Sequence, residues 1–218
     1  MKTKHLDVGC GSNPRNPFNY DQLYAIDIVS EINVNSIRNQ AAPSDVHALR
    51  ARRVIIESDK NFFYSQGNAA LERMPFEDNL FDSISAYDFI EHIPRLTVEG
   101  NKTRFPFIEF MNEAHRVLKP NGTFYAITPC FPYREVFVDP THVNFITEKT
   151  HEYFTTPTLT ARMYGFNGQF EIVRVKRVFS RLEKRKKTLG TFLKTLLYST
   201  VTPTKKSHIV WEFRAIKS

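Results

Sequence analysis

Leu6-Asp7-Val8-Gly9-Cys10-Gly11-Ser12-Asn13-Pro14 is the stretch that decides the fold. Leu6 and Val8 read as a buried strand. The run then breaks into a turn where Gly9 and Gly11 permit positive φ and carry no Cβ to obstruct a ligand lying on the backbone. A helix beginning near Asn13 is expected, its free N–H groups aimed at the same place. Glycine also marks ordinary strand-to-helix connections, so the turn alone leaves open a nucleotide cradle and a plain connection.

Working outward, Tyr24 to Ile28 reads as a second buried strand, with Asp27 placed where a carboxylate accepts both hydroxyls of a ribose. Nicotinamide enzymes share that spacing, and Pro14 occupies the place of their third glycine. These features therefore do not separate a dinucleotide from another adenosine cofactor. Strands are expected near 5–9, 23–28, 62–66, 82–87 and 123–128, with helical segments near 13–20, 43–57, 88–95 and 105–119. Such alternation implies parallel strands joined by right-handed crossovers. The segment 105–119 is the clearest helix, because Phe107, Phe110, Met111, Ala114 and Val117 recur near helical spacing and Asn121-Gly122 supply a stop. Two further strands near 169–178 and 208–216 alternate apolar and polar residues and are expected to close the sheet as an antiparallel pair. The roughly 30 residues between them make an unusually long connection.

The chain has 218 residues, 41% of them hydrophobic, with 19 phenylalanines, which suits one aromatic-rich domain able to bury its core without disulfides or a metal. Met1-Lys2-Thr3-Lys4-His5 passes straight into the first strand, no stretch approaches the roughly 20 apolar residues of a spanning helix, and a cytoplasmic location is expected. Cys10 and Cys130 read as packed thiols rather than a disulfide framework. The net charge of +7 is uneven: Lys176 to Lys206 holds ten Lys or Arg against Glu183 alone, a window of +9 that leaves −2 for the remainder. A basic segment of this kind draws an anionic substrate, a nucleic acid or an anionic membrane face, although charged runs also serve as plain solvated surface.

Later motifs narrow the reading. Gly67-Asn68-Ala69 is followed by Met74-Pro75-Phe76, Leu80-Phe81-Asp82 and Asp88-Phe89-Ile90-Glu91-His92, then by Leu118-Lys119-Pro120-Asn121-Gly122 and the apolar run to Thr128. In these residues the chain resembles the class I S-adenosylmethionine-dependent methyltransferases over roughly residues 5 to 130. It resembles most the small-molecule or glycan type with a Pro-Phe, Phe-Asp, Glu-His signature. The resemblance implies a Rossmann-like α/β fold: a mostly parallel seven-stranded sheet, an antiparallel C-terminal strand pair and helices on both faces. It also implies one domain over 1–218 with covering insertions at 94–106, 131–166 and, basic in charge, 180–206. The implied cofactor is S-adenosyl-L-methionine, with Asp7, Gly9, Cys10 and Gly11 around its methionine part, Asp27 on the ribose, and Asn68 and Ala69 at the adenine. Related enzymes often carry an acid where Asn68 stands.

Asp88 follows the fourth strand at the sheet edge where ligands collect, and faces the donor or the acceptor. In Val138-Asp139-Pro140-Thr141-His142, His142 offers an imidazole, the side chain most often used as a general base, and is placed to remove a hydroxyl proton, with Asp139 or another carboxylate orienting it. The plainer alternatives are that His142 only fixes its loop, that His92 packs locally and that Glu91 favours a helix N-terminus. No compact group of oxygen ligands stands out, so no metal is expected. The expected reaction is methyl transfer to a small-molecule or glycan acceptor, most simply a hydroxyl of a sugar or other metabolite. A rival is RNA or another nucleic acid as substrate, with the basic 176–206 segment on phosphates and Phe131 or Tyr133 stacking a base. Cytosine C5 chemistry through Cys130, a non-catalytic binding module and docking on anionic membranes complete the alternatives.

Overall fold

The structure, a computed structural model, describes residues 2–29, 55–59, 61–179 and 206–217. The long strands are β1 (Lys4–Val8), β2 (Gln22–Asp27), β3 (Ile55–Asp59), β4 (Phe62–Gln66) and β5 (Phe81–Tyr87). A small hairpin, β6 (Thr97–Glu99) and β7 (Lys102–Arg104), precedes helix α1 (Pro106–Val117). Then come β8 (Leu118–Pro129), β9 (Phe170–Val178) and β10 (His208–Ala215). The main sheet runs in the order β3-β4-β2-β1-β5-β8-β10-β9. Its β4, β2, β1, β5 and β8 are parallel, and β10 lies antiparallel between β8 and β9. The expected seven-stranded arrangement is therefore present. An eighth strand, β3, pairs antiparallel with β4 at the edge.

The order reverses at β1, whose neighbours are β2 on one side and β5 on the other. Connections leave in opposite directions from such a point and open a crevice beyond the strands' C-terminal ends. Helix α1 packs Phe107, Phe110, Met111, Ala114 and Val117 into the main core with Leu6, Ile84, Phe124 and Trp211. Burying side chains of this size contributes about 1.5–3 kcal/mol each. Pro106 starts α1, where its missing N–H costs nothing, and the helix ends at Val117 because Leu118 already has the extended backbone of β8.

Three expected helices differ. Residues 13–20 form turns, since Pro14 and Pro17 remove donors, Asn19 adopts φ of 54°, and Arg15 N donates to Asp7 instead of to a helix. Residues 88–95 hold only a short 3-10 turn at Ile90–His92, hemmed by Asp88 at φ of 47° and by Pro94. Of 43–57, residues 55–57 belong to β3 and the remainder lies outside the described residues. Among the described residues α1 is the sole α-helix, so helices on both faces are not part of the described fold. The insertion at 94–106 is the β6–β7 hairpin, and 131–166 carries short 3-10 turns; the basic insertion at 180–206 lies, but for Lys206, outside the described residues.

One face of β1 is polar yet sealed. His5 and Asp7 lie opposite Ser83 and Ser85 of β5, and all four are fully buried. His5 Nδ1 is 2.7 Å from Ser83 Oγ and Nε2 is 2.9 Å from Ser85 Oγ, while Ser85 donates to Asp7 Oδ1 at 2.5 Å. Ser85 has spent its one proton, so His5 Nε2 donates to it and Nδ1 accepts from Ser83.

Burial holds the folded His5 at a pKa of about 3, down from 6.5. Below pH 6.5 the unfolded chain takes up a proton that the folded imidazole refuses, so this residue's contribution to stability is lost as pH falls from about 6.5 toward 3. We expect His5→Gln to narrow the difference in urea midpoint between pH 7 and pH 4; an unchanged difference contradicts the assignment.

Candidate active site

The glycine turn sits at the C-terminal end of β1 and is closed by Asp27 at the end of β2. Gly9 continues the ladder, donating to Ile26 O at 2.9 Å, and both Gly9 (φ 64°) and Gly11 (φ 55°) lie in the left-handed region. A Cβ on Gly9 would fall 2.2 Å from Phe89 Cδ2. One on Gly11 would meet nothing within 4 Å, which leaves that face open to a ligand. Asp27 Oδ2 accepts from Gly11 N at 2.8 Å and Oδ1 from Val29 N at 3.2 Å. Each oxygen keeps lone-pair capacity for another donor, as two ribose hydroxyls require.

Beside it, Gly67 N donates to Asp27 O at 2.9 Å, and Asn68 Oδ1 accepts from Ala70 N at 3.2 Å, turning the chain after β4 over the nearly buried Ala69. Asp27, Gly9, Gly11, Asn68 and Ala69 thus share the sheet's C-terminal edge. Two of the expected contact residues have buried side chains. Asp7 is fully buried, with Ser85 on one oxygen and Arg15 N on the other at 2.8 Å, and burial raises its carboxyl to about 7. It braces the turn from inside the sheet. Cys10 is 3% exposed, its thiol donates to Gly11 O at 3.3 Å, and burial pushes that thiol upward. Its side chain turns into the fold while its backbone continues the turn.

On the acceptor side, Asp88 stands 3.5 Å (Oδ1) from His208 Nε2 of β10. After it, the Ile90–His92 turn is sewn to the loop of residues 139–146. Glu91 O accepts from Val143 N at 3.0 Å and Asn144 N at 2.9 Å, Asn144 Nδ2 donates to Ile90 O at 2.9 Å, and Arg95 Nε donates to Asn144 Oδ1 at 2.8 Å. This stitching brings His142 to His92, ring centroids 4.8 Å apart, edge to face.

Both imidazoles have their Nδ1 fixed. His142 Nδ1 lies 3.1 Å from Val136 O, which can only accept. His92 Nδ1 lies 2.9 Å from Thr141 Oγ1, which itself donates to Asp139 Oδ1 at 2.6 Å. Each Nδ1 is therefore the protonated nitrogen, and each neutral ring presents a lone pair at Nε2. Burial, and then the neighbouring His142, hold His92 below the usual histidine range. Asp139 is close to His142, with Oδ2 4.0 Å from Nε2, but its hydrogen bonds go to Thr141 N and Oγ1. The orienting partner of His142 is thus the Val136 carbonyl, which the sequence does not signal.

Glu91 is 1% exposed. Its Oε2 accepts from Thr128 Oγ1 at 2.9 Å, Oε1 has no partner among the described residues, and burial raises the carboxyl to about 7. Glu91 and His92, for which the sequence left a helix-end acid and a locally packed ring as the plainer alternatives, converge with His142. Cys130 is fully buried with its thiol pushed up to about 11, a poor setting for a nucleophilic thiolate. Tyr133, expected as a stacking platform, has the Arg177 guanidinium 5.0 Å over its ring.

Residues 6–126 match the family model described as "Methyltransferase domain". No curated protein matches the chain. A SAM-dependent methyltransferase from Methanosarcina mazei superposes with a TM-score of 0.53 at 16% identity, covering 100% of this chain and 95% of that one. One from Mesorhizobium loti gives 0.52 at 11% identity, covering 98% and 91%. Phosphoethanolamine N-methyltransferase 1 of Haemonchus contortus, solved with phosphoethanolamine and S-adenosylhomocysteine, gives 0.56 at 10% identity, covering 100% of this chain and 40% of that one.

Asn144→Ala removes the 2.9 Å bond to Ile90 O, leaving that carbonyl only the longer one from Ile93 N, and removes the acceptor of Arg95 Nε, so it should free the 139–146 loop. We expect the unfolding free energy to drop by about 1–3 kcal/mol, with faster amide exchange at Val143 and Asn144; urea melts and hydrogen-exchange mass spectrometry check both.

Proposed function

The chain belongs to the methyltransferase-domain family, and on that premise we propose that it methylates a hydroxyl of a small acceptor, a sugar or another hydroxylated metabolite. It is an S-adenosylmethionine-dependent methyltransferase. The cradle fits that donor: an open face over Gly11, a carboxylate at Asp27 with capacity for a ribose, and the Asn68–Ala69 turn beside them. When bound, S-adenosylmethionine supplies an electrophilic methyl group and leaves as a neutral thioether.

The observation that carries the hydroxyl reading is the pair of Nε2 lone pairs on His92 and His142 at the strand ends beside the cradle. An alcohol must lose its proton as it is methylated, so its enzyme needs a base within reach, whereas a neutral amine attacks without one. In this reading His142 Nε2 accepts the hydroxyl proton, Val136 O holds the ring in place, and Asp139 supports the pair through Thr141. Asp88, at the same edge, positions the acceptor or the donor. Phe137, Val138, Val143 and Phe145 leave an exposed apolar rim on this loop, suited to the C–H face of a sugar ring. Segments 94–106 and 131–166 supply the cover over the crevice, completing one domain across the chain.

Calorimetry and turnover separate the two halves of this assignment. Asp27→Ala should weaken S-adenosylmethionine binding at least tenfold, since two charge-assisted hydrogen bonds are removed. His142→Asn should leave donor affinity within about twofold and lower kcat by about 10²–10⁴ on the acceptor found by labelled-methyl transfer into fractionated extract. Undiminished kcat in His142→Asn overturns the base assignment.

A further inference from the structure

We propose that Glu91, His92 and His142 form a binding site for a divalent transition-metal ion of borderline softness, with zinc as its representative. One carboxylate oxygen of Glu91 and one ring nitrogen of each histidine lie within 4.8 Å of one another. Two imidazoles and one carboxylate are a donor set that leaves coordination positions open for water or substrate. Bonds of about 2.0–2.2 Å put ligand atoms about 3–3.5 Å apart, so small side-chain rotations close the site.

Three further features point the same way. Each imidazole is already anchored through Nδ1, His142 by Val136 O at 3.1 Å and His92 by Thr141 Oγ1 at 2.9 Å, which is the outer-shell pattern of metal-ligating histidines: the tautomer is set and Nε2 is left as the nitrogen able to ligate. Thr141 in turn is held by Asp139 at 2.6 Å, so a carboxylate backs His92 through a hydroxyl. Glu91 is 1% exposed, yet Oε1 has no hydrogen-bond partner among the described residues. A buried carboxylate oxygen without a donor costs free energy unless something positive meets it.

The sequence expectation of no metal considered a cage of oxygen ligands for a hard cation. The cluster here is instead nitrogen-rich, and chain folding assembles it from residues about 50 positions apart. The proposal deepens the hydroxyl reading and replaces its base: a cation at this place would hold the acceptor hydroxyl and lower its pKa, the proton leaving to solvent water, while His142 Nε2 serves as ligand instead of proton acceptor. It shares the histidine pair with that reading, but its test is separate.

Untagged full-length protein, stripped with chelator, is titrated with Co²⁺ and followed by visible absorbance, then with Zn²⁺ by calorimetry. We expect one Co²⁺ per chain with ligand-field bands that Zn²⁺ abolishes, and at least a tenfold loss of affinity in Glu91→Gln, His92→Asn and His142→Asn. His115→Asn, in a histidine that hydrogen-bonds Ile216 O, should bind as the wild type does. For any variant that misfolds, wild-type protein treated with diethyl pyrocarbonate substitutes: Zn²⁺ should protect His92 and His142 and leave His115 unchanged. Absence of the bands, affinity unmoved by the three substitutions, or equal modification with and without Zn²⁺ each overturns the site. Binding of S-adenosylmethionine measured on the same samples keeps the outcomes apart: donor binding without metal binding removes this proposal alone, and metal binding without donor binding removes the functional reading alone.

Discussion

The approach of the Phe89 ring to Gly9 ties both halves of the site to one joint. Gly9 lies in the left-handed region at the end of β1, where even a methyl group would fall 2.2 Å from the ring. β1 and β5 are neighbouring parallel strands, so their C-terminal turns emerge side by side, and the space between them holds a ring or a Cβ but not both. With glycine there, Phe89 packs inward and fixes where the chain turns into Ile90, Glu91 and His92. The donor cradle and the histidine pair are thereby set in register by one van der Waals contact. No flexible linker intervenes, and chemistry that needs reacting atoms brought to about 3 Å depends on such fixed spacing.

From this joint the acceptor side is built by backbone rather than by side-chain pairing. The Glu91 carbonyl takes two amide donors from the 139–146 loop, and Asn144 returns its own amide to Ile90. A loop that runs outside regular structure must satisfy its polar groups somewhere. Here it does so on the turn that carries His92. His142 consequently arrives beside His92 although the two share no element, and the short Asp139–Thr141 turn lands its hydroxyl on the His92 ring.

Much of the sheet was legible because its strands announce themselves by local composition. Leu6 and Val8, Tyr24 to Asp27, Phe81 to Tyr87 and Thr123 to Thr128 are short apolar runs bounded by turn residues, and their alternation with connections fixes a parallel order. α1 was legible for the same reason, at period 3.6. The helix expected over 13–20 failed on two prolines and on Asp7, whose buried carboxylate captures Arg15 N, a tertiary hydrogen bond that no local pattern reveals. Of the candidate site, the glycine turn with Asp27 and the loop that carries His142 could be singled out from motif and residue type. Glu91 and His92 could not be given roles, because what distinguishes them is burial and convergence. An acid and a histidine at the start of an expected helix look the same whether they face solvent or each other.

The two buried carboxylates make that distinction physical. Asp7 and Glu91 are both almost wholly removed from water, and burial raises both to about 7. Asp7 has a donor on each oxygen, one from Ser85 and one from the Arg15 amide, so its acceptor capacity is spent on the fold. Glu91 has Thr128 on one oxygen and nothing among the described residues on the other. If Glu91 served only to hold the turn, a glutamine would suit the same pocket, since one amide oxygen meets Thr128 and no ionised group needs desolvation. What sets Glu91 apart from Asp7 is convergence: one of its carboxylate oxygens and one ring nitrogen of each imidazole, both rings already held through Nδ1, lie within 4.8 Å of one another.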